Sequence, residues 1–148
     1  MKNRIFSKPF LLTLFWQQNK YHKHGVLLHT LEVAYHALKY KDYRFVSVAL
    51  LHDIGKPFVA YQKKKDVKTK EWSFTDHEEL SYQLIKDWQF ISEETKRLVR
   101  YHYLIRDIQK HKTKNPKRSQ EKQKIWDTLD ASMHKDLKTF QKYDDLAK

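Results

Sequence analysis

Ala49-Leu50-Leu51-His52-Asp53-Ile54-Gly55-Lys56-Pro57 begins as an apolar helix and ends in charge. Just upstream, Phe45, Val48, Ala49 and His52 fall at i, i+3, i+4 and i+7, one face of a helix, and Asp42 can cap its start. The spacing predicts that this helix ends at Asp53–Pro57, because Gly terminates helices and Pro cannot continue them. An imidazole and a carboxylate therefore stand side by side at the end of an apolar face. Two ionisable groups there need partners, since burying either unpaired is costly.

Working outward, the chain divides into pieces of helical length. A short helix is predicted over 9–18 after Pro9, and a second from about Val26 to Tyr40 after Gly25. The second is apolar on nearly every side (Val26, Leu27, Leu28, Leu31, Val33, Leu38), which predicts a central position. Residues 58–73 read as a polar loop. Thr75-Asp-His-Glu78 has capping-box spacing and opens a fourth helix to about Phe90; Ser92, Glu93 and Glu94 open a fifth to about Lys110. A second basic loop over 111–119 is broken by Asn115-Pro116, and a last helix spans roughly Ser119 to Lys142. Two glycines in 148 residues argue against a β-rich chain with many tight turns. The expected fold is all-α: one domain over residues 1–148, a bundle of about six helices.

Composition narrows the chemistry. With no cysteine there is no disulfide, thiolate metal site or cysteine nucleophile, so any metal is held by His, Asp and Glu. No apolar run approaches the ~18 residues of a membrane span, and Phe10–Trp16 is short for a secretory core, which predicts a cytoplasmic protein without a membrane partner. A formal net charge of +12 suits phosphate-bearing partners.

Nine histidines are many for this length, and several face inward. His52 lies on the apolar face of the third helix, His102 between Leu98, Val99 and Ile105, and His29 between Val26 and Val33. Asp130 falls at the edge of the arc set by Trp126, Met133 and Leu137. Asp136 also falls near that arc, so periodicity alone does not single out Asp130. One divalent ion, or two, would satisfy these groups together.

These residues carry a resemblance. His29-Thr-Leu-Glu-Val-Ala34, then Ala49-Leu-Leu-His-Asp-Ile-Gly-Lys-Pro57, then a late Asp, resembles the HD-domain superfamily of metal-dependent phosphohydrolases. More narrowly, Gln17-Gln-Asn-Lys-Tyr-His22, Phe74-Thr-Asp-His-Glu-Glu-Leu-Ser81 and Leu98-Val-Arg-Tyr-His102 are similar to the HD domain of bacterial CCA-adding tRNA nucleotidyltransferases. The nucleotidyltransferase part has no counterpart here, so the resemblance implies a free-standing HD domain that does not add nucleotides.

The resemblance implies that His29, His52, Asp53 and Asp130 bind a first metal. Asp53 would bridge to a second ion held with His77 and His102; in one-metal members those two histidines face the substrate phosphate instead. Imidazole and carboxylate donors suit Mn, Fe, Ni, Co, Zn or Mg. Such an ion activates water and draws charge from a phosphoryl oxygen. Asp53 and Lys56 would be catalytic, and Lys56 and His22 would meet the substrate.

Two basic segments bear on the partner: Lys63, Lys64, Lys65, Lys68 and Lys70, and a second run from Lys110 to Lys124 with Glu121 as its one acid. Either can track a polyphosphate or an RNA end. The leading expectation is a phosphohydrolase acting on a nucleotide or RNA-terminal phosphoester, of the 2′,3′-cyclic phosphodiesterase or phosphatase type. Nucleotidase and dinucleoside-polyphosphate hydrolase activities are close neighbours. The rivals are a basic nucleic-acid-binding module with a structural metal, and a metal-free helical adaptor.

Overall fold

The computed structural model describes residues 7–16 and 19–148, and among them all regular structure is helical. The elements are α1 (Lys8–Phe15), α2 (Val26–Lys39), α3 (Arg44–Leu51), α4 (Lys56–Val59), α5 (His77–Ile85), α6 (Glu93–Tyr101), α7 (Leu104–Lys114), α8 (Pro116–Asp127) and α9 (Ala131–Leu146). No helix among the described residues is long and apolar enough to cross a membrane. The expectation of an all-α bundle holds.

α3 is the hub. It packs on α2, α6 and α9, and its Phe45, Val48 and Ala49 are fully buried. Phe45 stacks on Phe140 of α9 with centroids 6.1 Å apart and meets Tyr143 edge-on at 5.8 Å. Phe45→Ala is expected to cost about 3–5 kcal/mol, because ring contacts on both sides are lost and the helices cannot close over the gap. Urea denaturation at constant m-value measures this.

The two glycines serve close approach. A Cβ on Gly25 would sit 2.5 Å from the Leu14 carbonyl oxygen, so α1 crosses directly over the start of α2. A Cβ on Gly55 would sit 2.6 Å from the His77 carbonyl oxygen, while the Gly55 N–H donates to Ser81 Oγ at 2.9 Å. Gly55 has an ordinary right-handed backbone (φ −75°), so it does not end α3 by a left-handed turn. It lets the α3–α4 junction lie against the first turn of α5.

Several boundaries differ from expectation. The predicted fifth helix is two, α6 and α7, parted at His102-Tyr103. His102 Nδ1 donates to the Val99 carbonyl at 2.7 Å, engaging the last turn of α6 without any Gly or Pro. The expected basic loop over 111–119 is a helix joint: Asn115 Oδ1 accepts from the Arg118 N–H at 3.2 Å and Pro116 opens α8. The predicted last helix is also two, since Asp130 accepts from the Met133 N–H at 2.9 Å and starts α9 afresh. No capping box forms at α5; Asp76 takes a left-handed backbone (φ 57°) and pairs with Arg118 at 2.8 Å. Finally, α2 is not surrounded. Leu27, Leu28, Leu31, Tyr35 and Leu38 are 45–59% exposed, because α1, α3 and α9 cover only the opposite face.

Candidate metal centre

Four imidazoles converge on one carboxylate. α2 supplies His29, the end of α3 His52 and Asp53, the first turn of α5 His77, and the end of α6 His102, all buried. Asp53 sits in the middle. Its Oδ2 faces His52 Nε2 at 3.2 Å and His29 Nε2 at 3.6 Å; its Oδ1 faces His77 Nε2 at 3.3 Å and His102 Nε2 at 3.6 Å.

The protons on these rings are fixed from behind. Nδ1 of His29 donates to the Ala147 carbonyl at 3.1 Å, that of His52 to Ala49 at 2.7 Å, and that of His77 to Phe74 at 2.9 Å. With His102 donating to Val99, every Nδ1 is spent on a carbonyl, which can only accept. All four Nε2 atoms thus face the same space, where each donates to a carboxylate when protonated and offers a lone pair to a cation once that proton leaves. Those of His77 and His102 are 3.3 Å apart, a repulsive contact unless a proton or cation lies between them.

Asp144 of α9 completes the first group. Its Oδ1 is 2.8 Å from His29 Nε2 and 3.7 Å from His52 Nε2, while Arg106 clamps its other oxygen and reaches Asp145 at 2.7 Å. Burial pushes the Asp144 carboxyl up, but the hydrogen bond from His29, the neighbouring His52 imidazole and the Arg106 charge hold it well below the usual range.

Asp130, expected among the ligands, is elsewhere. Its side chain is 59% exposed, caps α9 and lies 3.5 Å from Arg97. The missed residue is Asp144, and its signal was present: Met133, Leu137, Phe140 and Asp144 continue one stripe at i, i+4, i+7 and i+11. A helix taken to stop at Lys142 leaves Asp144 out. Asp136 is held by Arg44 through two hydrogen bonds of 3.0 and 2.7 Å, a structural ion pair between α3 and α9.

The remaining expected residues line the same centre. Lys56 Nζ is buried, 2.6 Å from Asp53 Oδ2 and 5.5 Å from the centroid of the Phe74 ring. That contact is an ion pair outside hydrogen-bond geometry, so both Asp53 oxygens and His52 Nε2 have no hydrogen-bond partner. His22 packs edge-on against His29 at 4.8 Å; burial, then the nearby charges of Lys56 and His29, lowers its pKa to about 3. Tyr103, unassigned in the sequence reading, sets its ring 5.2 Å from His77.

The donor set fits a metal. Buried orphaned oxygens and nitrogens cost about 1–3 kcal/mol each, and a cation at the shared focus satisfies them together. Carbonyls behind each imidazole are the supporting contacts that orient histidine ligands. Two triads have ligand atoms within 4.8 Å of one another, His29-His52-Asp53 and Asp53-His77-His102, both through Asp53. The HD domain family model matches residues 26–132, more than half of the chain.

The chain belongs to the HD-domain family. No curated protein and no solved structure matches it. HD domains are in general metal-dependent hydrolases, and the buried His/Asp groups here can hold a divalent ion. In this HD domain the matched segment contains Asp130 but stops short of Asp144, so the carboxylate that geometry brings to the centre lies beyond it.

Without an ion, protons take its place. Burial lowers His52, but the Asp53 charge and the Asp144 contact outweigh it and push the imidazole up to about 9. A raised folded pKa gives stability that is complete below the ordinary value of 6.5 and is lost as pH rises through about 9. The metal-free HD domain is therefore expected to melt at falling temperature across that window. Divalent ion at 100 times its Kd adds about 2.7 kcal/mol, and the gain grows with pH because fewer protons must leave. Differential scanning fluorimetry with EDTA against Mn²⁺ or Ni²⁺ reads both effects.

Proposed function

We propose that this HD domain hydrolyses the phosphoester of a nucleotide or an RNA end, as a metal-dependent 2′,3′-cyclic phosphodiesterase or phosphatase. One observation carries the reading: Asp53 stands between two groups of imidazole Nε2 atoms with a buried ammonium, Lys56, 2.6 Å away. The likeness to the HD domain of CCA-adding enzymes in the blocks around His22, His77 and His102 supports the cyclic-phosphate specificity.

His29, His52, Asp53 and Asp144 would hold one ion, and Asp53 with His77 and His102 a second. When bound, such ions supply positive charge to phosphoryl oxygens and acidity to water. The chain's own residues do the rest. The backbone carbonyls behind the four rings take the Nδ1 protons and aim each Nε2 at the centre, ready to exchange its own proton for an ion. Lys56, released from sole charge of Asp53, is positioned to donate to a phosphoryl oxygen and offset the charge that builds as the ester bond breaks. His22, neutral at physiological pH, offers a polar but uncharged wall, so it does not compete with the ions for phosphate.

The test is turnover of 2′,3′-cAMP, bis-p-nitrophenyl phosphate and p-nitrophenyl phosphate by protein loaded with Mn²⁺ or Ni²⁺. Hydrolysis of the cyclic ester, lost on Lys56→Ala with metal content retained, is the expected result. Metal bound stoichiometrically with no turnover of any of the three overturns the reading in favour of a structural clip.

A further inference from the structure

Between α4 and α5, residues 61–73 form a hairpin rooted in the metal centre. Tyr61 and Ser73 pair their backbones in both directions at 3.1 and 2.9 Å, and Tyr61 Oη bonds Thr75 Oγ1 at 2.9 Å. One foot follows the short helix that begins at Lys56. The other is Phe74, whose ring lies under the Lys56 ammonium and whose carbonyl orients His77. The base of this segment therefore adjoins the Lys56–Asp53 pair.

The hairpin carries Lys63, Lys64, Lys65, Lys68 and Lys70, all exposed, against Asp66 and Glu71. None of the five lysines is engaged in an ion pair among the described residues. The other basic segment is partly spent: Arg118 and Lys122 reach inward to Asp107, Asp76 and Glu78 and fasten α8 to α5 and α7. Lys70 also holds a left-handed backbone (φ 55°), an unusual conformation for a side chain of its length, which turns the tip back toward the stem.

Aromatic residues complete the element. Tyr61 is exposed at the stem, with Trp72 and Phe74 half-buried beside it. Lysines at the tip and rings at the stem are the combination that holds single-stranded nucleic acid, charge tracking phosphates and rings stacking bases. A simple polyphosphate would use the lysines alone and leave the exposed face of Tyr61 unused.

We infer that the 61–73 hairpin is the binding arm for a single-stranded polynucleotide, whose terminal phosphoester it feeds into the centre. This names the substrate as a strand end rather than a free nucleotide and rests on the phosphohydrolase reading above. The arm, not the metal centre, supplies the preference for length.

The experiment compares kcat/KM on a five-nucleotide RNA ending in a 2′,3′-cyclic phosphate with kcat/KM on 2′,3′-cAMP, using metal-loaded full chain. The wild-type ratio is expected to exceed about 10 at low salt and to fall toward 1 when Lys64→Glu, Lys65→Glu and Lys68→Glu are combined. Fluorescence anisotropy of a labelled, uncleavable RNA of the same length gives a second readout without turnover. There the slope of log K against log salt is expected to flatten by about 2 in the triple variant, at roughly 0.7 per lost phosphate contact. A wild-type ratio near 1, or an RNA affinity the variant leaves unchanged, overturns the inference. If wild type binds RNA through the arm but turns over neither substrate, the hydrolase reading fails and the arm stands. Lys64→Gln, Lys65→Gln and Lys68→Gln, which remove charge without reversing it, are expected to give an intermediate loss.

Discussion

Asp53→Asn is expected to lower kcat by at least about 10³-fold and, on the two-ion reading proposed above, to empty both positions together. Each oxygen of Asp53 faces a different pair of imidazoles, so one carboxylate serves two ligand groups. The amide keeps the shape but loses the charge, and its NH₂ side can donate but cannot ligate a cation. Lys56 is then left buried beside a neutral group, which raises the cost of folding around it. Metal per chain by mass spectrometry, measured with turnover, separates this from a change at one position. Loss at only one position means that Asp53 does not bridge. Undiminished metal and turnover would remove the centre from the mechanism altogether.

The part of the site legible in the sequence is the part encoded locally. His52 and Asp53 adjoin each other at the end of an apolar face, and their neighbours Lys56 and Gly55 follow within a turn, so a short motif contains most of the geometry. The structure also brings His29, His77 and His102 to Asp53, His77 and His102 each within a turn of the carbonyl that orients it and His29 reaching across to Ala147. Ser92 caps α6 as its spacing predicts, accepting from Thr95 N–H at 3.1 Å.

What was not legible depends on competition between distant groups. The break between α6 and α7 falls where the His102 imidazole engages a helix-end carbonyl, and no propensity scale encodes that. Thr75 and Glu78 have capping-box spacing, yet Tyr61 and Lys122 engage their side chains instead, and Arg118 takes Asp76 between them. The apolar circumference of α2 predicted burial on all sides, but how many neighbours a helix receives is a property of the whole bundle. The basic run at 110–124 reads as free charge until the fold shows Asp107 buried beneath it, drawing in Arg118 and Lys122.

The choice between two late aspartates gives the sharpest contrast. Asp144→Asn is expected to weaken metal binding by at least about 100-fold, more than the loss of a supporting contact, because the group faces His29 and His52 directly. Arg106 keeps Asp145 as a partner in that variant, so the α7–α9 contact and the fold persist. Asp130→Ala removes only the cap of α9 and a surface contact with Arg97, so a slightly lower melting temperature with metal content and kcat intact is expected. Isothermal titration with Mn²⁺ on both variants decides the matter. Should Asp130→Ala lose the ion while Asp144→Asn retains it, the start of α9 would have to rearrange on metal binding and carry Asp130 inward. The present packing, with Asp144 buried against His29 and fastened by Arg106, would then describe only the metal-free protein.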